Sequence, residues 1–102
     1  MYNNGKNEEA FKYALEEAQK GNSTAQHSVG YLYYNGEGVT QDKNEAFKWY
    51  SKAAEQGIAA SQHELGLMYF NGDGIAQDKE KGFYWFIKAA ERNENIIRHL
   101  SI

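Results

Sequence analysis

The chain has 102 residues, no cysteine, a formal net charge of -3 and a hydrophobic fraction of 41%. A chain of this length buries one core without disulfides or a structural metal, so we expect a single domain over residues 1–102. We expect no cofactor. The chain has no basic stripe and no apolar run long enough to span a bilayer, which argues against nucleic acid and membranes as partners.

The first predicted element is a helix over residues 6–21. Its segment EAFK, at Glu9–Lys12, returns as EAFK at Glu45–Lys48, 36 residues later. A period of roughly 20 to 50 residues is typical of a solenoid, in which each unit buries its apolar face against its neighbours. We call this element a B helix, and we call the helix that precedes a B helix within a repeat an A helix. Because no A helix precedes this first B helix, its Ala10 and Ala14 could form an apolar edge that supports a homodimer.

The first full repeat is predicted at residues 22–57. An A helix over Ser23–Asn35 ends at an Asn-Gly pair, and a B helix follows between Asp42 and Gln56, where apolar residues recur at three and four. Asp42 is a suitable N-cap, with Glu45 completing a capping box, and Gly57 is a suitable stop.

The second full repeat is predicted at residues 58–93, with its A helix over Ala59–Asn71. Gly30 and Gly66, again 36 residues apart, lie inside the two A helices and predict a close approach between A and B helices. The glycines of the loops NGEGVTQD and NGDGIAQD are predicted to adopt positive φ rather than to bind phosphate or calcium. These loop glycines are Gly36, Gly38, Gly72 and Gly74.

The last predicted element, residues 94–102, is a partial A helix in which Ile96, Ile97 and Leu100 would cap the stack. The predicted fold is therefore all-α, an α/α superhelical solenoid of antiparallel helix pairs with about five helices and a C-terminal partial helix.

Two motifs carry a family resemblance. The pattern A-x-x-x-V-G-x-x-Y-x-x-G-x-G-V-x-x-D at Ala25–Asp42, followed by E-A-x-x-W-Y-x-K-A-A-x-x-G at Glu45–Gly57, resembles the Sel-one-like repeat, a relative of the tetratricopeptide repeat. The second unit departs from this pattern at positions that we interpret as packing changes. They are Ser61, Gly82, Phe86 and Asn93.

The resemblance implies that one face of the A helices lines a concave groove. Aromatic rings beside amides would provide contact area and hydrogen bonds for a peptide, so we predict a partner-binding groove. An alternative is that some of these side chains, including the Tyr31 ring and Leu67, pack against the next helix instead. The candidate residues are His27, Tyr31, Tyr34 and Asn35 on the first A helix, and His63, Leu67, Phe70 and Asn71 on the second.

His27, His63 and His99 also recur at 36 residues, but equivalent positions of stacked helices lie too far apart for one metal ion, so no metal site is expected. We predict a non-catalytic adaptor that binds a protein or peptide. The alternatives are a small hydrolase, because some members of the resembling family are described as β-lactamase-like, and a self-assembling module. No catalytic motif such as S-x-x-K is present. A soluble chain without a signal peptide is expected, with the cytoplasm favoured and the compartment otherwise unknown.

Overall fold

The computed structural model describes the backbone of residues 4–100 and the side chains of residues 6–91. Within that part of the chain all regular secondary structure is α-helical, which confirms the predicted fold class. The five helices are α1 (Asn4–Gln19), α2 (Ser23–Asn35), α3 (Lys43–Glu55), α4 (Ala59–Asn71) and α5 (Lys79–Leu100). The predicted B helices correspond to α1, α3 and α5, and the predicted A helices to α2 and α4.

Local capping chemistry fixes the helix ends. The Asp42 carboxylate accepts a hydrogen bond from the backbone N–H of Glu45 at 3.0 Å, as the predicted N-cap requires. Gly36 and Gly72 end α2 and α4 in the left-handed region, with φ of +70° and +66°. Gly57, with φ of +94°, follows the end of α3. The predicted stops at these glycines are confirmed.

Each A helix packs against the B helix on either side of it, so that contacts run between α1 and α2, α2 and α3, α3 and α4, and α4 and α5. A Cβ atom on Gly30 would lie 2.8 Å from Cδ1 of Tyr50, and one on Gly66 would lie 2.5 Å from Cδ1 of Phe86. The predicted close approach of A and B helices at these glycines is confirmed, since a methyl group would overlap the facing ring.

Among the side chains of residues 6–91, the core forms two clusters, one between each pair of consecutive B helices. Val29 of α2 is fully buried in the cluster nearer the N-terminus, with Phe11 and Ala18 of α1. The other cluster joins Tyr50 and Ala54 of α3 to Leu65 and Met68 of α4. A side chain of one repeat is therefore buried by the next repeat.

The predicted helix break before residue 94 is wrong, because α5 is one helix that continues to Leu100. Asn93 stands where Gly57 stands one repeat earlier, and a residue with a Cβ atom is disfavoured in the left-handed conformation that stopped α3. The side chains of Ile96, Ile97, His99 and Leu100 lie outside the described residues, so the predicted capping contacts stay a prediction.

Candidate partner-binding face

The eight predicted groove residues lie on α2 and α4. Five of them, His63 included, are exposed, and the packed set consists of His27, Tyr34 and Phe70. Tyr31 is 50% exposed and Leu67, at the equivalent position one repeat later, is 38% exposed. Asn35 and Asn71, one helical turn further on, are exposed as well. We call these four residues the A-helix face. Two apolar side chains thus meet solvent at matching positions of successive A helices, each with an amide beside it.

Tyr34 belongs to the packed set. Its hydroxyl donates a short hydrogen bond to the carboxylate of Asp73, in the loop after α4. Lys43 Nζ lies 2.9 Å from the other carboxylate oxygen and 5.0 Å from the centroid of the Tyr34 ring. The hydrogen bond to Asp73 raises the pKa of the Tyr34 phenol to about 12. This network ties the second repeat to the first.

Phe70, the counterpart of Tyr34, packs against α5. Its ring centroid is 5.5 Å from that of Phe83, edge to face, and 6.1 Å from that of Phe86. Lys79 Nζ lies 5.5 Å above the same ring. Without a hydroxyl, Phe70 has no equivalent of the bond that Tyr34 makes to Asp73. For Tyr34 and Phe70, packing against neighbouring elements is the observed role.

His27 is half-buried between the repeats. Its Nδ1 lies 2.7 Å from the hydroxyl oxygen of Ser61 on α4, and its ring centroid is 5.2 Å from that of Tyr50. Burial lowers the pKa of His27, and the carboxylate of Glu64 opposes that shift. His63, its counterpart, keeps the ring contact, at 5.6 Å from Phe86, but is exposed.

The contact between His27 and Ser61 has the distance of a base with a nucleophilic hydroxyl, the arrangement that a hydrolase would require. Ser61, however, has 0% of its surface exposed. A substrate carbonyl therefore has no route to its hydroxyl. The pair acts as a partly buried hydrogen bond between α2 and α4, and it does not favour the hydrolase alternative.

Sequence reasoning missed four residues that shape this region: Lys43, Tyr50, Glu64 and Asp73. Burial raises the pKa of the Tyr50 phenol, and the charge of Glu64 raises it further. The burial of Tyr50 could have been inferred from its apolar register in α3. The Tyr34 to Asp73 bond spans 39 residues, which is not the repeat period, so no periodicity indicates it.

The edge of α1 was predicted to support a homodimer. Tyr13 is 68% exposed and Ala10 is exposed, whereas Ala14 is half-buried. Glu17 stands where α3 has the buried Ala53, and it pairs with Lys20 at 3.2 Å. A charged pair therefore interrupts the apolar surface of this edge.

Among the side chains of residues 6–91, no three His, Asp or Glu residues are grouped closely enough to hold a metal ion. Over residues 4–100, no helix has both the length and the apolar composition needed to cross a bilayer. The chemistry that the A-helix face offers is noncovalent: aromatic and aliphatic contact from Tyr31 and Leu67, and hydrogen bonds from the two amides.

Comparison with known proteins shows what the chain is similar to. The Sel1 repeat model matches residues 23–58 and 59–94, each unit one residue later than the predicted boundaries. A comparison with curated proteins gives no match.

Three solved structures show the same architecture. A Sel1 repeat protein from Oxalobacter formigenes is 42% identical with a TM-score of 0.81, over 87% of this chain and 36% of that one. The protective antigen c5321 of uropathogenic Escherichia coli, described as having an SLR fold, is 40% identical with a TM-score of 0.82, over 83% of this chain and 18% of that one. Helicobacter pylori cysteine rich protein B is 25% identical with a TM-score of 0.76, over 79% of this chain and 61% of that one. The chain thus spans about a third or less of the first two relatives.

Proposed function

The chain belongs to the Sel1 repeat family, and from that premise we propose that it is a non-catalytic scaffold that binds an extended segment of a partner protein along the A-helix face. Proteins of this family are generally scaffolds for interactions between proteins. The choice of surface rests on one observation, the matched exposure of Tyr31 and Leu67 at equivalent positions of α2 and α4.

The packed residues support this choice of surface. The bonds of Tyr34 to Asp73 and of His27 to Ser61 hold α2 in a fixed relation to α4 and the loop after it, and Phe70 fixes α4 against α5. The exposed residues beside them are then presented on a rigid support, which lowers the entropy cost of binding. Packed helices lie about 8 to 10 Å apart, so equivalent positions of the two A helices are separated by at least the length of about three residues of extended chain. The A-helix face would therefore take partner side chains about three or more positions apart.

The amides of Asn35 and Asn71 give the face its polar component. Asn35 Nδ2 donates a hydrogen bond to the backbone carbonyl of Tyr31 at 3.0 Å, which orients the amide and leaves its oxygen to accept a bond from a peptide N–H. Both asparagines are exposed, so a partner segment could reach them. An apolar contact beside an amide in each repeat suits an extended peptide, whose side chains and backbone groups alternate.

The proposal is tested with a library of random 12-residue peptides, displayed and selected on the full chain. Selected peptides are then measured by fluorescence anisotropy against the triple variant Tyr31→Ala, Asn35→Ala, Leu67→Ala. All three residues are exposed, so the fold should be retained, which circular dichroism checks. We expect the affinity of selected peptides to fall by at least about ten-fold, the equivalent of roughly 1.4 kcal/mol.

Tyr84→Ala is the matched control, since Tyr84 is 53% exposed and lies on α5, which carries none of the four residues of the A-helix face. Peptide binding that the triple variant retains in full would show that the A-helix face is the wrong surface. A selection that yields no peptide would contradict peptide binding itself. Turnover of an ester or β-lactam that is lost in His27→Ala would contradict the non-catalytic assignment.

A further inference from the structure

The most informative open surface lies on the outer side of α5 and the adjoining edge of α4. It consists of His63, Phe83, Phe86, Ile87 and Ala90, which we call the end face. Phe83 is 55% exposed and Ile87 is 57% exposed. His63, Phe86 and Ala90 line a groove of about 550 Å³.

The same chain contains a covered version of this surface. One repeat earlier, the equivalent positions are His27, Phe47, Tyr50, Ser51 and Ala54, and α4 packs on them. Tyr50 and Ala54 are each only 2% exposed and share a core cluster with Leu65 and Met68 of α4. What covers the first surface indicates what would fit the second.

The contacts of α4 define the pattern of such a helix. Its Ser61 meets His27 Nδ1 at 2.7 Å, so a small hydroxyl residue suits the position against the histidine. Its Leu65 fills the space beside Tyr50 and Ala54, and its Tyr69 packs edge to face on Phe47 with 5.4 Å between the ring centroids. The pattern is a small residue, a leucine four positions later and an aromatic residue four positions after that.

The end face retains the side chains that this pattern contacts. The histidine recurs as His63, the phenylalanine as Phe83 and the alanine as Ala90, while Phe86 replaces Tyr50. Ile87 replaces Ser51 and adds apolar surface, whereas Glu64, which also lines the groove, replaces Ser28 and adds a carboxylate.

We propose that the end face binds one amphipathic helix of a partner protein that has the residue pattern of α4. The partner's small hydroxyl residue lies against His63, its leucine fills the groove beside Phe86 and Ala90, and its aromatic ring packs on Phe83. Ile87 provides the partner helix with an additional apolar contact. The equivalent residue that faces α4 in the first repeat is Ser51, which is polar. This site is separate from the A-helix face and does not depend on peptide binding there.

The probe is a fluorescein-labelled peptide with the sequence of α4, AASQHELGLMYFN. A hydrocarbon staple replaces His63 and Leu67 of the peptide, because an isolated helix of this length is marginal in water and both residues are exposed in α4. We expect saturable binding to the full chain by fluorescence anisotropy. A peptide with Leu65→Asp should not bind, since it would bury an unpaired charge.

Ala90→Glu in the protein should weaken binding by at least about ten-fold for the same reason. Gln19→Glu is the matched control, because it adds the same single charge at an exposed position on α1. If Ala90→Glu does not fold, the double variant Phe83→Ser, Ile87→Ser replaces it. The triple variant of the A-helix face should bind the stapled peptide as well as the unmodified chain does.

Three results would overturn the proposal. The first is an absence of saturable binding, and the second is equal binding by Ala90→Glu and the unmodified chain. The third is a dimer of the unmodified chain, found by sedimentation velocity, that Ala90→Glu dissociates, because the occupant of the end face would then be a second copy.

Discussion

The two repeats carry nearly the same residues at the same positions, yet these residues have different environments. Tyr50 of the first repeat is 2% exposed, whereas Phe86, its counterpart, is half-buried. Ala54 is buried and Ala90 is exposed. Because each unit is completed by the next one, a position in the repeat is core or surface according to its neighbour. The motif alone therefore does not determine the burial of a residue.

The largest expected effect comes from truncating the two equivalent rings, Tyr50 and Phe86. Tyr50→Ala removes a buried ring from a filled core and should lower the free energy of unfolding by about 4 kcal/mol. Phe86→Ala removes a half-buried ring beside an open groove and should cost roughly half as much. Urea unfolding of both variants measures the two costs. Equal costs would mean that the end face is covered in solution.

The second test adds a methyl group under the same rings. Gly30→Ala would place its Cβ 2.8 Å from the Tyr50 ring, which has no space to move, so we expect a net loss of about 2 kcal/mol although alanine favours helix. In Gly66→Ala the Phe86 ring can shift toward the open groove, and the loss should be about 1 kcal/mol.

Thr24→Ala, at an exposed position of α2, controls for helix propensity and should stay within about 0.5 kcal/mol. The carbonyl oxygen of Gly82 would lie 3.1 Å from the new Cβ at Gly66 and limits how far the strain is relieved. A larger loss at Gly66 than at Gly30 would show that backbone contact, and not ring mobility, decides the cost.

The third test makes the first repeat resemble the second. Tyr34→Phe removes the hydroxyl that bonds to Asp73. The second repeat already has a phenylalanine, Phe70, at the equivalent position. We expect a loss of about 1 kcal/mol at pH 7, below the range for a hydrogen bond to a charged group because the site is partly exposed. Tyr31→Phe, on the exposed face, is the control and should have no measurable effect on unfolding.

The pH dependence of that loss gives a further check. The bonds from Tyr34 and Lys43 hold the pKa of Asp73 below 3.8, so their contribution is present above that pH and is lost as the pH falls through the folded pKa. The pKa of Tyr34 is raised to about 12, so its contribution is present below pH 10 and is lost as the pH rises toward 12. A loss independent of pH would contradict the assigned bond.

Much of the fold was predictable because its determinants are local. The two A helices have the predicted bounds, since the glycines that follow them adopt the left-handed conformation that ends a helix. Interrepeat contacts were not predictable: the Tyr34 bond to Asp73 depends on how a loop folds back against α3. The continuation of α5 was missed because Asn93 was interpreted as a packing change, although it replaces the glycine that ends α3.

The candidate site was predictable to a similar extent. Helical spacing placed all eight residues on α2 and α4, but spacing does not distinguish a ring that faces solvent from one that faces the next helix. Tyr31 and Tyr34 are three positions apart on α2, and only the second meets a loop of the following repeat. Only the tertiary contacts therefore distinguish the exposed candidate residues from the packed ones.

The smallest expected effect concerns the two histidines. Burial lowers the pKa of His27 below 6.5, so the neutral ring is the form that the fold favours. Its contribution to stability is fully present above pH 6.5 and is lost as the pH falls through the folded pKa. Between pH 7.5 and 5.5 the unmodified chain should lose stability that His27→Gln does not lose. His63→Gln, which keeps His27, is the control for the removal of one imidazole. Urea unfolding at both pH values measures this, and NMR titration of the His27 ring should give a midpoint below 6.5. A midpoint above 6.5 would mean that the charge of Glu64 outweighs burial and that the first repeat is more open to water than its contact with α4 indicates.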